Sequence, residues 1–218
     1  SVLDGYRPCE ASIGQDEDHA YQLIKNLRCH LESNDRLAED VPEVCVPIRK
    51  RQGITQRRLL YRGQTITREL SATAIVFPDI PDSLAAGSVI VATGITGQIR
   101  GMLFMRRDGS ALRPSLAILD DPQTDESAKS PSQCDYREQV INGAVLGLAG
   151  PGVSITVLMP CTIIRQGDLA DRILDRSRNP EWHGERTRMV YAFPDAEDLW
   201  EQYAELRLQD LERDDREL

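Results

Sequence analysis

The stretch "RPSLAILDDPQTDESAKSP", Arg113 to Pro131, decides how the chain folds. Its apolar run Leu116-Ala117-Ile118-Leu119 suits a strand buried on both faces of a parallel sheet. The run ends on Asp120, Asp121 and Pro122. Two acids at the carboxyl end of such a strand lie on the rim where open α/β sheets bind ligands. Neighbouring carboxylates repel, so the pair implies something there that needs negative charge. A magnesium–phosphate site meets that need; a solvated acidic turn is the plainer alternative.

Working outward, Ser130, Pro131 and Gln133 read as N-cap, N1 and N3 of a capping box, so a helix should begin there. Gly150-Pro151-Gly152 ends it, and "VSITVL" (Val153 to Leu158) follows as a second buried strand. Asp168 should cap another helix, with Leu169, Ile173 and Leu174 facing inward. Strand, helix, strand, helix over 116–177 is a βαβα unit, so the expected class is α/β, a mostly parallel sheet flanked by helices. Upstream, "RPCEASI" from Arg7 is a short strand, and "GQDEDHA" turns into a helix with Ala20, Leu23, Ile24, Leu27 and Leu31 at helical spacing. Pro42 is expected to close that helix. "TAIVFPD" and "GSVIVATG" read as two further strands joined by a Pro/Gly-rich loop. In the C-terminal run, Leu199, Trp200, Tyr203, Leu206 and Leu211 share a helical spacing that suits a core-facing stripe, while Trp182 and His183 read as a surface loop.

With 218 residues, 40% hydrophobic and 28% charged, the chain has room for one sizeable domain with appendages. No apolar run approaches the roughly 20 residues that span a bilayer, so no membrane partner is expected. The start carries no cationic region followed by an apolar one, so no signal peptide is read there. The five cysteines are scattered, without a CxxC pair, and the three histidines lack ligand-like spacing. Reduced thiols in a cytoplasm are expected, and no structural metal. A net charge of −9 gives no general attraction to nucleic acid. The charge is uneven: residues 49–68 hold seven basic residues and no acid, whereas 195–218 is strongly acidic. The basic segment fits either a solvated surface or a contact with DNA or another polyanion.

In P-loop nucleotide hydrolases an apolar strand ends in an acid that holds magnesium, and the next residue is often an acid that orients the attacking water. Asp120 and Asp121 have that context. The partner motif, GxxxxGK[ST], is absent: Lys25, Lys50 and Lys129 are the only lysines, and none follows a glycine loop.

Several segments together resemble the ATPase domain of the large terminase subunit of tailed bacteriophages and prophages, the motor that packages DNA. They are "GQIRG" (Gly97 to Gly101), "RPSLAILDDPQTDESAKSPSQC" (Arg113 to Cys134), "INGAVLGLAGPG" (Ile141 to Gly152), "VLMPCTIIRQGDLADRIL" (Val157 to Leu174) and the stretch "ASIGQDEDHAYQLIKNLRCHLESNDRLAEDVPEVC". The similarity keeps the same order through nearly the whole chain. It implies a P-loop ATPase fold of the ASCE/RecA-like type, incomplete at the N-terminus, with a partial ATPase-like domain over 1–194 and an acidic helix or linker over 195–218. Asp120 matches the magnesium-holding Walker B aspartate and Asp121 the catalytic acid, commonly a longer glutamate. Thr162 in "MPCT" matches the coupling motif that senses the γ-phosphate, or merely ends a strand. Arg100 falls where these proteins carry an arginine that reaches a neighbouring subunit's nucleotide; an arginine paired with a nearby carboxylate, Asp120 or Asp121 included, is the alternative. The implied cofactors are ATP and Mg²⁺. The implied partners are double-stranded DNA, the portal protein, the small terminase subunit and other copies in a ring, in the host bacterial cytoplasm. Two departures stand out: the phosphate loop and the RNase H-like nuclease domain are both missing. The isolated chain is therefore expected to hydrolyse little ATP, and a catalytically inactive relic or interaction module that binds a protein or DNA is the alternative.

Overall fold

The computed structural model describes residues 2–50, 59–61, 64–66, 71–80, 82–106, 109–193 and 195–214. The chain divides into two units, Ser1–Trp182 and His183–Leu218. In the first, a five-stranded sheet runs β4 (Ala74–Val76), β5 (Val89–Gly94), β1 (Cys9–Gly14), β8 (Leu116–Asp120), β9 (Thr156–Leu158). β1, β5, β8 and β9 are mutually parallel, and β4 joins antiparallel to β5. The class is α/β, as the 113–131 stretch implies. The chain leaves β1, returns as β5 on one side of it, and then crosses to β8 on the other. The carboxyl ends of β1, β5 and β8 therefore meet at a topological switch point. Two short hairpins, β2 (Leu59–Tyr61) with β3 (Gln64–Ile66) and β6 (Phe104–Met105) with β7 (Ala111–Leu112), stand outside this sheet.

Alternation along the strands builds a core on each face. Ala11, Ile13, Ala117 and Leu119 point to one side, against Ile141, Val145 and Leu148 and against Leu169 and Ile173 of α6 (Leu169–Ile173). Ile90 and Ala92 point to the other, against Ala20, Ile24 and Leu31 of α1 (Glu17–Ser33) and Val44, Cys45 and Ile48 of α3 (Pro42–Arg49). Cover on the α1 side thins toward β9: Ile118 is only half-buried, and its neighbour in register, Leu158, is 54% exposed.

Several local expectations are corrected. Pro42 does not close the long helix. α1 stops at Ser33, the short α2 (Asp35–Asp40) follows, and Pro42 opens α3 at its first turn, where a missing N–H costs nothing. The capping box is displaced by six residues. α5 (Pro131–Val140) starts after Ser130 as expected, but that hydroxyl meets Ser132 Oγ, and Gln133 instead accepts from Arg137. The box is formed by Thr124 and Ser127 at the start of α4 (Asp125–Lys129). α5 then widens into a π turn over Ile141–Val145, where Leu146 N–H reaches back to the Ile141 carbonyl. β9 is an edge strand of three residues rather than a buried six-residue one, and Val153 is 58% exposed. Trp182 and His183 lie in an irregular, mostly exposed segment, as expected, but the Trp182 side chain is partly buried against the second core cluster.

In the second unit, α7 (Glu197–Asp214) carries Leu199, Trp200, Tyr203 and Leu206 exposed rather than buried. The rings of Trp200 and Tyr203 meet edge to face at 6.0 Å. Most of the basic 49–68 segment, and the Leu211 side chain, lie outside the described residues.

Candidate functional site at the sheet rim

The rim is assembled by close backbone contacts at the strand ends. Asp16, the N-cap of α1, accepts from His19 N–H at 2.8 Å and so starts the helix directly after β1. A β-carbon added to Gly94, at the end of β5, would lie 2.6 Å from the Asp16 carbonyl carbon. Glu17 then crosses to β5, its Oε1 accepting from Gly94 N–H at 3.2 Å and from Thr93 Oγ at 3.3 Å. The helix start is thus bound to two adjacent strand ends.

That packing delivers His19 to Asp120. His19 Nε2 lies 3.5 Å from Asp120 Oδ2, while its Nδ1 faces the Gln15 N–H at 3.5 Å. In this arrangement Nδ1 accepts and Nε2 carries the proton toward the carboxylate. The Asp120 side chain remains 42% exposed, so one face of it is open to solvent.

Asp121 leaves the strand in a left-handed conformation, φ +46°, which non-glycine residues seldom adopt and which aspartate tolerates better than most. The turn is held from the β9 side. Asp121 N–H donates to the Pro160 carbonyl at 3.1 Å, and Thr162 N–H approaches Asp121 Oδ1 at 3.5 Å. The sequence-derived candidates Asp120, Asp121 and Thr162 are therefore neighbours at one rim. The exposed Thr162 faces solvent beside Asp121, whose Oδ2 is left to orient or accept a proton from a water.

Arg100 is exposed and lies elsewhere: its guanidinium rests on the π turn, where a β-carbon on Gly143 would come within 3.1 Å of Nη2. Among the described residues no hydrogen bond or ion pair joins Arg100 to Asp120 or Asp121, so pairing with either aspartate is not realised.

Cys161, between these groups, is no nucleophile. Burial, with the charges of Asp121 and Asp168 acting in the same direction, pushes its thiol up to about 11. Asp168 is fully buried and, among the described residues, has no cation in an ion pair with it. Its carboxylate is satisfied by the N–H groups of Ile164, Arg165 and Asp171 and by the Gln123 amide.

Sequence reasoning missed His19 and Gln123. His19 sits at helix position N3, and nothing local says that a strand a hundred residues away ends beside it. Gln123 reads as one polar turn residue among several.

Oxygen donors suit Mg²⁺, which in nucleotide sites takes one or two carboxylates and completes its shell with phosphate and water. Asp120 fits that role. Among the described residues no group of three or more His, Cys, Asp or Glu forms an all-protein metal cage. The donor set suits the magnesium and water side of a nucleotide site, while no glycine loop with lysine is present to cradle phosphates. No helix among the described residues is long and apolar enough to cross a membrane. Comparison with known proteins gave no match to a family model, to a curated protein or to a solved structure.

Proposed function

We propose that this chain is part of a P-loop-type motor ATPase, the ATPase region of a phage terminase large subunit, acting on double-stranded DNA with ATP and Mg²⁺. The observation that carries the reading is the meeting of Asp120, Asp121 and Thr162 at the carboxyl rim of two adjacent parallel strands. In this reading Asp120 holds the cation, which when bound neutralises charge on the transferring phosphoryl group. Asp121 orients the attacking water through Oδ2 while Thr162 holds its other oxygen, and the Thr162 hydroxyl faces the γ-phosphate. Arg100, exposed and unpaired with the two aspartates, is available to a neighbouring copy in a ring. The portal protein and the small terminase subunit are the partners that go with the reading.

The phosphate loop has to come from outside this sequence. The open edge of β9 and the thinly covered face at Ile118 and Leu158 are where a further strand and helix bearing such a loop would pack, directly beside Thr162. If no such unit joins, the chain is an interaction module that works through its surfaces.

Calorimetric titration of the 218-residue chain with ATP and Mg²⁺, with Asp120→Ala as control, tests the reading. Saturable binding that Asp120→Ala abolishes supports it. Absence of binding both in this chain and in one extended upstream to include a phosphate loop refutes it. In a chain that turns ATP over, Asp121→Asn should lower kcat at least about a hundredfold, as expected for loss of a general base, while nucleotide affinity changes little. Retained turnover removes Asp121 from the mechanism.

A further inference from the structure

The loop after β9 would be expected to wander. From Met159 to Asp168 it has no regular structure, and it carries Thr162 at its exposed crest. It is held from the turn after the neighbouring strand β8 by a buried side chain. Gln123, 2% exposed, donates from Nε2 to the Thr162 carbonyl at 2.8 Å and to Asp168 Oδ2 at 3.0 Å, and accepts from Leu169 N–H at 3.1 Å. All three bonds go to the 162–169 segment. Asp168 extends the hold by accepting from Ile164 and Arg165 N–H at 2.7 and 3.1 Å.

Gln123 is itself anchored. Pro122, before it, is buried, and its carbonyl accepts from Arg137 Nε of α5 at 3.2 Å. Asp121, two residues back, makes the two contacts to Pro160 and Thr162 described above. The turn after β8 thus grips the β9 loop at both ends of the Thr162 crest, through Asp121 on one side and Gln123 on the other. A buried amide with both ends used is a strong geometric constraint, because each lost partner leaves a polar atom unsatisfied.

We infer that Gln123 is a positioning residue that fixes Thr162 against Asp121, so that the two strand ends respond to a ligand's terminal phosphate as one body. The identity of that ligand rests on the ATPase reading above; the positioning does not. The variant is Gln123→Met, close in shape and without donors or acceptors.

Amide hydrogen exchange on the 218-residue chain reads the positioning directly. Exchange at Thr162, Ile164, Arg165 and Leu169 should rise at least about tenfold, the effect of losing roughly one net hydrogen bond, while the amides of β1 and β8 keep their protection. Unchanged exchange over 162–169, or an equal rise throughout Ser1–Trp182, overturns the inference. Should Gln123→Met fail to fold, the wild-type chain decides by NMR. Two dispersed, slowly exchanging Gln123 side-chain N–H resonances are expected, and a solvent-averaged pair overturns the proposal.

Where the wild type binds nucleotide, Gln123→Met should cut the ratio of ATP to ADP affinity about tenfold and leave ADP affinity unchanged. A purely structural role would weaken both alike. A wild type that binds neither nucleotide counts against the ATPase reading, and the exchange result still decides the positioning.

Discussion

At the residue scale, the buried acids are answered by different partners: Asp168 by N–H groups and the Gln123 amide, Glu138 by the Arg178 guanidinium, and Glu10 by the Ser12 hydroxyl. Glu10 lies near the start of central strand β1, 9% exposed, with the Ser12 hydroxyl donating to its Oε1 at 3.3 Å. Burial raises its carboxyl above the ordinary value of 4.5, and the Ser12 bond offsets this only in part. With the folded-state value raised, the folded protein holds this proton more tightly than the unfolded chain does. The contribution to stability is therefore fully present below about pH 4.5 and is lost as pH rises through the raised value. Glu10→Gln, which keeps an acceptor for Ser12, should melt like the wild type near about pH 4 and above it near about pH 8. Equal melting temperatures at both ends would mean that the carboxylate is better solvated than its burial implies. The same scale shows what could be read beforehand. Asp120 and Asp121 were legible because an apolar run must end where water begins, and Asp168 because N-caps have a local signature. Gln123 and His19 were not, since their partners lie in other loops and only the folded sheet sets the distance.

At the element scale, the determining feature is the junction of β1, α1 and β5. Gly14 leaves the β1 end open to the backbone of Ala20, and Gly94 lets β5 end against the backbone of Asp16. A methyl group on Gly94 would meet main chain, which cannot swing aside as a side chain does. Gly94→Ala should destabilise the protein by about 1–3 kcal/mol, whereas Gly147→Ala, with its nearest heavy atom at 3.7 Å, should cost nothing in packing. Comparing the two denaturation midpoints checks this, and equal midpoints would show that α1 shifts freely along the sheet. Elements were legible in proportion to how locally they are specified. β1, β5, β8, α1 and α6 follow from periodicity and caps. The failures at Pro42 and Ser130 have different causes: proline at a first helical turn and proline past a helix end look alike in sequence, whereas at Ser130 the helix start was read correctly and only the side-chain bonds went to other partners. β9 misled for another reason, because an aliphatic run says nothing about whether a neighbour lies beyond it.

At the scale of the whole molecule, both core clusters lie within Ser1–Trp182, and the described part of the second unit has its large side chains exposed. A chain ending at Trp182 should therefore melt within about 3 °C of the full one, roughly the shift that 1 kcal/mol would give. Calorimetry of the two chains checks this, and a drop of about 10 °C would assign the C-terminal residues a structural share. Global charge was legible at once, yet it misdescribes the rim, where two acids and a histidine converge in a setting that overall net charge does not reveal.

The sheet's two margins differ. At β4, Ser71 N–H caps the outward carbonyl of Ala74, and Pro78 follows the strand, so that margin is terminated. Among the described residues the β9 margin is short and unpaired, a live end in the language of polymerisation. Three residues template a newcomer's alignment only weakly, so a lone strand that lands there would leave as readily as it arrived. Only an arrival that also brings apolar cover for Ile118 and Leu158 would be retained. At this margin, then, what extends the sheet has to make two attachments at once.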